Sequence, residues 1–160
     1  AGYKSLGYRV QTTEPFMTHS LQRIPRFDAQ VRIERVCTPE LLERLNRSAG
    51  RAMIRREHLE CPKQIRVYAA LDGDKPIGWV RSIMVGNTAW CASVFVQPSH
   101  RRRGIARAML VRMLRDDRAA GANASVLLAS HTGALLYPVV GYRSLGTLIM
   151  FNPPAGVRRG

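Results

Sequence analysis

The chain has 160 residues, 46% hydrophobic and 22% charged, enough for one domain with a full core and no disulfide or metal staple. No apolar run approaches the ~20 residues of a membrane helix, and Ala1 to Gly7 carry no apolar signal-peptide core. A net charge of +14, from 25 Lys and Arg against 11 acids, suits anionic partners: nucleic acid, phosphorylated cofactors or acidic proteins.

The regular pattern starts at Val31. Val31 to Val36 alternates apolar and charged residues, as a half-buried strand does. Thr38-Pro39-Glu40 reads as a helix start, with Leu41, Leu42 and Leu45 as its apolar face. Arg51 to Leu59 reads as a second helix stopped by Cys61-Pro62. Ile65 to Leu71 leads into Asp72-Gly73-Asp74, a hairpin signal. Pro76 to Val85 returns, Gly86-Asn87-Thr88 turns again, and Ala89 to Val96 forms a third strand.

After Pro98 the period changes. Ile105, Met109, Leu110, Met113 and Leu114 recur at helical spacing, and Gly121 ends that helix. Ser125 to Ala129 reads as a short buried strand, His131 to Tyr137 as a short helix, and Arg143 to Phe151 as one or two last strands. Residues 154–160 read as a flexible tail. The whole predicts a mixed α/β (α+β) sheet.

Cys37, Cys61 and Cys91 are odd in number and form no CxxC pair, so they read as reduced thiols in a cytoplasmic protein. His19, His58, His100 and His131 are scattered, which leaves no zinc-like set; no metal is expected.

The chemistry concentrates in Val94 to Arg107: a strand, a basic loop, Gly104 and a helix. The first amides of a helix lack internal partners and carry the positive end of its dipole. Gly104 lets the backbone approach a phosphate, small Ala106 keeps the first turn open, and Arg101, Arg102 and Arg103 add positive potential. The segment has neither Gly-x-Gly-x-x-Gly nor the Gly-Lys-Ser/Thr of a P-loop, which disfavours a Rossmann or nucleotide triphosphatase site.

Arg101-x-x-Gly104-x-Ala106, after a hydrophobic strand and a proline, resembles the acetyl-CoA motif Gln/Arg-x-x-Gly-x-Gly/Ala of the GNAT N-acetyltransferase superfamily. Leu136-Tyr137 followed by Gly141-Tyr142 is similar to the family's late Leu-Tyr-x-x-x-Gly-Phe/Tyr stretch, with Ser130 and Gly133 where Asn and Ala are usual. The resemblance covers about Val31 to Phe151. It implies a central sheet of about six to seven strands with a splayed pair, flanked by about four helices. It implies that acetyl-CoA lies along Val94, Phe95 and Val96, with its pyrophosphate on the amides of Arg102, Arg103, Gly104, Ile105, Ala106 and Arg107. Arg101 and Ser130 complete the expected binding set, and Tyr137 is the candidate acid for the departing thiolate.

Other residues carry plainer readings. The plainer alternative for Tyr137 is a packed aromatic or a cofactor contact. Glu57 and His58 fall where the family's acceptor-side helices lie, and either, or water, could be the base. His100 reads as a loop residue. Cys91 and Ser93 share a strand face that could line the cleft, but no His partner marks an acyl-cysteine.

The expected activity is acetyl transfer from acetyl-CoA to a primary amine, on a small molecule or a peptide. The positive charge disfavours a strongly cationic acceptor. One alternative is a non-catalytic CoA-binding module of the same fold. Another is a basic nucleic-acid-binding protein, disfavoured because aromatics are 7% and are not interleaved with arginine. No membrane contact is expected.

Residues 1–30 do not fit the start of the domain at 31–153. Tyr3-Lys4-Ser5-Leu6-Gly7-Tyr8-Arg9 and Tyr137-Pro138-Val139-Val140-Gly141-Tyr142-Arg143 both read Tyr-x-x-x-Gly-Tyr-Arg. Residues 1–30 are therefore either the end of a preceding domain of the same family or an extension with accidental similarity. As a remnant they would have to pack on the complete domain or on another chain, and a homodimer paired near the last strands is expected.

Overall fold

The computed structural model describes residues 2–27, 30–60, 63–130 and 133–154. The alternating segment forms strand β2 (Arg32–Arg35), and Thr38 caps helix α1 (Pro39–Ala49) by accepting the Leu41 N–H on its Oγ1 at 3.3 Å. Gly50, at φ +66°, ends α1 in the left-handed conformation that glycine adopts most readily. The predicted meander follows as β3 (Ile65–Asp72), β4 (Lys75–Val85) and β5 (Thr88–Val96), paired antiparallel. Helix α2 (Ile105–Ala119) then crosses to β6 (Ala124–Leu128), which runs parallel to β5.

Two helical predictions are corrected. Of Arg51–Leu59 only Arg56–Leu59 is helical, as one 3₁₀ turn. Met53 and Ile54 instead drop into the core under α1, and the Met53 N–H donates to Asn46 Oδ1 at 2.8 Å. The predicted stop at Cys61-Pro62 lies outside the described residues, as do His131 and the tail beyond Pro154. Within His131–Tyr137 the described part is a 3₁₀ turn, Gly133–Leu135. A second turn, Tyr137–Val140, starts at Tyr137 rather than ending there, because Pro138 fits a first helical turn. Among the described residues there are thus two α-helices rather than about four, with short 3₁₀ turns in place of the others. The last segment is a single strand, β7 (Arg143–Asn152).

The larger departure is at the front. Residues expected as an extension form a 3₁₀ turn, Tyr3–Leu6, and an eleven-residue strand, β1 (Arg9–His19). The seven-stranded mixed sheet has the order β2-β3-β4-β5-β6-β1-β7, so β1 is an interior strand of the same domain. It pairs antiparallel with β6 over Phe16–His19 and with β7 over almost its whole length.

Each face of the sheet has its own core. α1 covers Val67, Ala69, Leu71 and Trp79 on one face. On the other, α2 buries Met109, Leu110, Met113 and Leu114 against Tyr68, Val80, Cys91 and Leu127. A buried network bolts α2 to the sheet: Asp117 Oδ1 accepts from Arg66 Nη2 and, at 2.7 Å, from Ser82 Oγ. The chain after β1 returns along α2, where Arg115 Nη2 donates to the Pro25 carbonyl at 3.4 Å. No described helix is long and apolar enough to cross a membrane.

Candidate active site

The site is the place where β5 and β6 part. They pair only at Thr88, Ala89 and Trp90 with Ala124, Ser125 and Val126. Just beyond, β5 carries one residue more than β4 between the pairs Arg81–Ala92 and Trp79–Phe95, and Ser93 there has φ +57°. Such a bulge bends its strand and increases the local twist. Phe95 and Val96 remain paired with β4, while the β6-facing edge of Val94–Val96 lies beyond the last β5–β6 pair. The result is a V-shaped opening with one free strand edge.

The basic loop closes the upper end of β5. A 3₁₀ turn, Pro98–His100, is followed by Arg102 at φ +59° and Gly104 at φ +76°, the N-cap of α2. The first helical hydrogen bond runs from the Ala108 N–H to the Gly104 carbonyl. The amides of Ile105, Ala106 and Arg107 are therefore the orphan donors of the helix start. Donors of this kind next to an open strand edge suit a phosphate joined to an extended, amide-bearing arm.

Side chains of the expected set take different directions. Arg101 folds back, its Nε donating to the Val96 carbonyl at 3.0 Å and its guanidinium 5.8 Å from the Phe95 ring centre. Arg103 lines a cavity of ≈ 290 Å³ with Phe27, Asp72 and His100, on the β3–β4 side of the loop. Arg107 lies over the Phe27 ring, 4.3 Å from its centre. Arg102 is exposed. The structure thus brings main-chain donors to the opening and holds three of the arginine side chains elsewhere.

Tyr137 is buried in the α2-side core with Cys91 of β5 and Leu127 and Ala129 at the end of β6. Its ring meets Tyr142 edge-on at 5.7 Å, and the Tyr142 hydroxyl lies 2.7 Å from Ser125 Oγ. Burial, and secondarily the Cys91 thiol, push the Tyr137 pKa up, so the phenol keeps its proton at neutral pH. Ser130 accepts the Gly133 N–H on its Oγ at 3.2 Å, and a β-carbon on Gly133 would lie 3.6 Å from the Tyr137 hydroxyl. Ser130, Gly133 and Tyr137 therefore form one cluster at the β6 limb of the V.

The remaining candidates have local partners. Glu57 pairs with Arg55 at 3.4 Å, and His58 Nδ1 accepts the Arg55 N–H at 3.2 Å. His100 lies between Ser99 Oγ at 2.9 Å and Asp72 at 3.4 Å, as a loop residue does. Cys91 is buried, and burial raises its thiol pKa, which keeps it a poor nucleophile. Among the described residues no three His, Cys, Asp or Glu gather as a metal-binding group.

Phe27 is the residue that sequence reasoning missed. It packs on Gly104 and Arg107 at the head of α2, yet it is a lone aromatic in a segment without periodicity.

A family model described as the acetyltransferase (GNAT) family matches residues 28–137. No curated protein matches the sequence at a significant level. Among solved structures, a GCN5-related N-acetyltransferase from Kribbella flavida superposes with a TM-score of 0.75 at 18% identity, over 96% of this chain and 63% of that one. A GCN5-related N-acetyltransferase from Sphaerobacter thermophilus gives 0.70 at 21% identity, over 96% and 56%. An aminoglycoside acetyltransferase from an uncultured soil metagenomic sample gives 0.61 at 17%, over 79% and 99%. The chain spans less than two thirds of the first two, and at these identities the likeness is one of fold.

Proposed function

The chain belongs to the GNAT acetyltransferase family, and from that premise we propose that it transfers an acetyl group from acetyl-CoA to a primary amine. The observation that carries the reading is the parting of β5 and β6 beside the orphan amides at the start of α2. In this reading the edge of Val94–Val96 that β6 leaves unpaired takes the pantetheine arm, which replaces the bond Arg101 Nε makes to the Val96 carbonyl. The amides of residues 102–107 hold the pyrophosphate, while the missing side chain of Gly104 makes room for the Phe27 ring that shapes the loop. The side chains of Arg101, Arg103 and Arg107 shape the loop rather than grip the phosphates.

When bound, acetyl-CoA supplies a thioester carbonyl. The amine nitrogen bonds to that carbon as the carbon–sulfur bond breaks, and the surplus amine proton passes to water. Tyr137 gives its phenolic proton to the departing sulfur and is reprotonated from solvent. Its raised pKa suits this role, because the phenol arrives protonated. Cys37 and Cys91 are free thiols, which fits a reducing cytoplasm.

The test is release of free CoA thiol from acetyl-CoA in the presence of amines: simple alkylamines, arylalkylamines, aminoglycosides and peptide N-termini. Amine-dependent release supports the reading. Tight acetyl-CoA binding with no release across the panel would make the protein a binding module of the same fold.

A further inference from the structure

The front and back of the chain repeat each other in structure as well as in sequence. Each copy of Tyr-x-x-x-Gly-Tyr-Arg is a 3₁₀ turn, a left-handed glycine and a strand. The Tyr8 N–H donates to the Tyr3 carbonyl at 3.1 Å, and the Tyr142 N–H to the Tyr137 carbonyl at 3.1 Å. Tyr3 meets Tyr8 edge-on at 5.8 Å, and Tyr137 meets Tyr142 edge-on at 5.7 Å.

The strand pairing has a two-fold axis. With Tyr3 placed on Tyr137, Arg9 falls on Arg143 and Thr18 on Asn152. In the sheet Arg9 pairs with Asn152 and Thr18 with Arg143. Glu14 falls on Leu148, and these two pair with each other, so the axis passes between them. Even the irregularities obey it: the extra residue is Gln11 on β1 and its counterpart Leu145 on β7.

Burial breaks this symmetry. The half made of Met17, Tyr137, Val140 and Tyr142 is docked on the domain and no more than 8% exposed. Its counterparts are Phe151, Tyr3, Leu6 and Tyr8, and Tyr3 and Leu6 are 61% and 62% exposed. Tyr8 and Phe151 are half-buried, Phe151 stacking on Tyr3 at 4.9 Å, while Tyr3 and Leu6 stay aromatic or apolar though mostly exposed among the described residues. β1 residues Phe16–His19 pair with β6, while their counterparts starting at Met150 lie on the outer edge of β7, which no strand pairs among the described residues. Unpaired strand edges bearing apolar side chains are sites for adding a strand.

We propose that the outer half of the β1–β7 ribbon docks a second module of the same fold, whose strand equivalent to β6 adds to the edge of β7 at Met150–Asn152. The contact continues, through the axis at Glu14 and Leu148, the one that β1 already makes with β6. A second copy of this chain does not fit, because the matching edge of its β6 already carries its own β1. The partner is a module whose β6-like edge is open. In this proposal the ribbon is shared with a second module of the same fold, in place of the identical copy expected from sequence.

The test supplies such a module. A second body, residues 21–136, is joined directly to Tyr3 of the chain, at the point equivalent to its own Tyr137. Thr18 pairs with Val126, so the counterpart Asn152 should pair with Val126 of the added body. Asn152→Cys with Val126→Cys in that body should form a disulfide on oxidation, and Leu148→Cys with the same partner should not. A folded fusion that fails to cross-link at Asn152, or cross-links equally at Leu148, overturns the proposal.

If the fusion does not fold, the unfused chain decides. Its outward amides at Met150–Asn152 should exchange at near-solvent rates, and Leu6→Asp should leave its melting temperature unchanged while Val140→Asp lowers it sharply. Protected amides, equal losses from the two substitutions, or a concentration-dependent dimer abolished by Leu6→Asp would overturn the proposal.

Discussion

Phe27 lies so close to Gly104 that a β-carbon on the glycine would meet its ring at 2.6 Å. Gly104 also needs its φ of +76°, which costs other residues roughly 1–2 kcal/mol. Gly104→Ala should therefore lower both the melting temperature and the affinity for CoA, because the ring and the first turn of α2 must separate. Phe27→Ala in the same protein should restore part of the loss, leaving the backbone cost. Calorimetric CoA titration of the four proteins in this cycle measures the coupling. Strict additivity would show that Phe27 does not shape the loop.

Tyr137→Phe isolates the hydroxyl. If the phenol protonates the thiolate, the turnover rate falls by roughly 10²–10⁴, the range of general acid catalysis, while CoA affinity stays the same. Equal losses in kcat and kcat/KM mark an interaction made only as the thioester breaks. Weaker CoA binding with normal turnover would make Tyr137 a positioning residue.

Asp117 is the acceptor that Arg66 and Ser82 share, and both charged side chains are buried. Asp117→Ala leaves the Arg66 guanidinium without its counter-charge and should cost about 3–5 kcal/mol, the usual penalty for an orphaned buried ion. Replacing the pair with Arg66→Met and Asp117→Leu should recover much of this in urea unfolding. A double variant as unstable as the single one would mean that the loss is one of shape, not charge.

His19 makes the sheet sensitive to acid. It is buried on β1, its Nδ1 accepts the Leu21 N–H at 2.9 Å, and its ring meets Tyr142 edge-on at 5.4 Å. Burial lowers its pKa below the ordinary 6.5, with hydrogen bonding to the Val140 backbone in partial opposition. The unfolded chain therefore takes up a proton before the folded one does. Stability from this group is intact above the unfolded pKa and is lost as the pH falls toward the folded value, by at most ~1.4 kcal/mol per pH unit. Urea unfolding at pH 7.5 and 5.5 should show the loss in the wild type and a smaller one in His19→Phe. Equal losses would place the acid sensitivity elsewhere.

The meander, the α1 cap and the start of α2 were legible because each is written locally. Asp72-Gly73 and Gly86-Asn87 turn the chain, Thr38 caps its own helix, and Gly104 precedes a clear helical stripe. β1 was not legible as an interior strand, because its partners lie at the far end of the chain. Its Pro15 also argues for an edge strand. The structure tolerates Pro15 because it stands at the end of the β6 ladder: its carbonyl still accepts the Ala129 N–H at 2.9 Å, and only the missing N–H goes without a partner, one residue before the first pair at Phe16. At the site, the backbone of the phosphate-binding loop followed from residue types. The directions of Arg101, Arg103 and Arg107 did not, because they depend on Val96, Phe95 and Phe27 arriving from elsewhere.

The interior place of β1 sets the order in which the molecule can be finished. Of the seven strands, the first in sequence has the last two as its neighbours. Until β6 and β7 form, β1 has neither of its partners in this sheet. When β6 does form, it presents a bare edge until the opening residues return to it. Closing so long a loop carries its entropic cost before any pairing rewards it, which makes it a slow step. The parallel β5–β6 pair that frames the V needs only α2 between its strands, so the opening can take shape first. Its outer limb becomes rigid only when β1 pairs with β6.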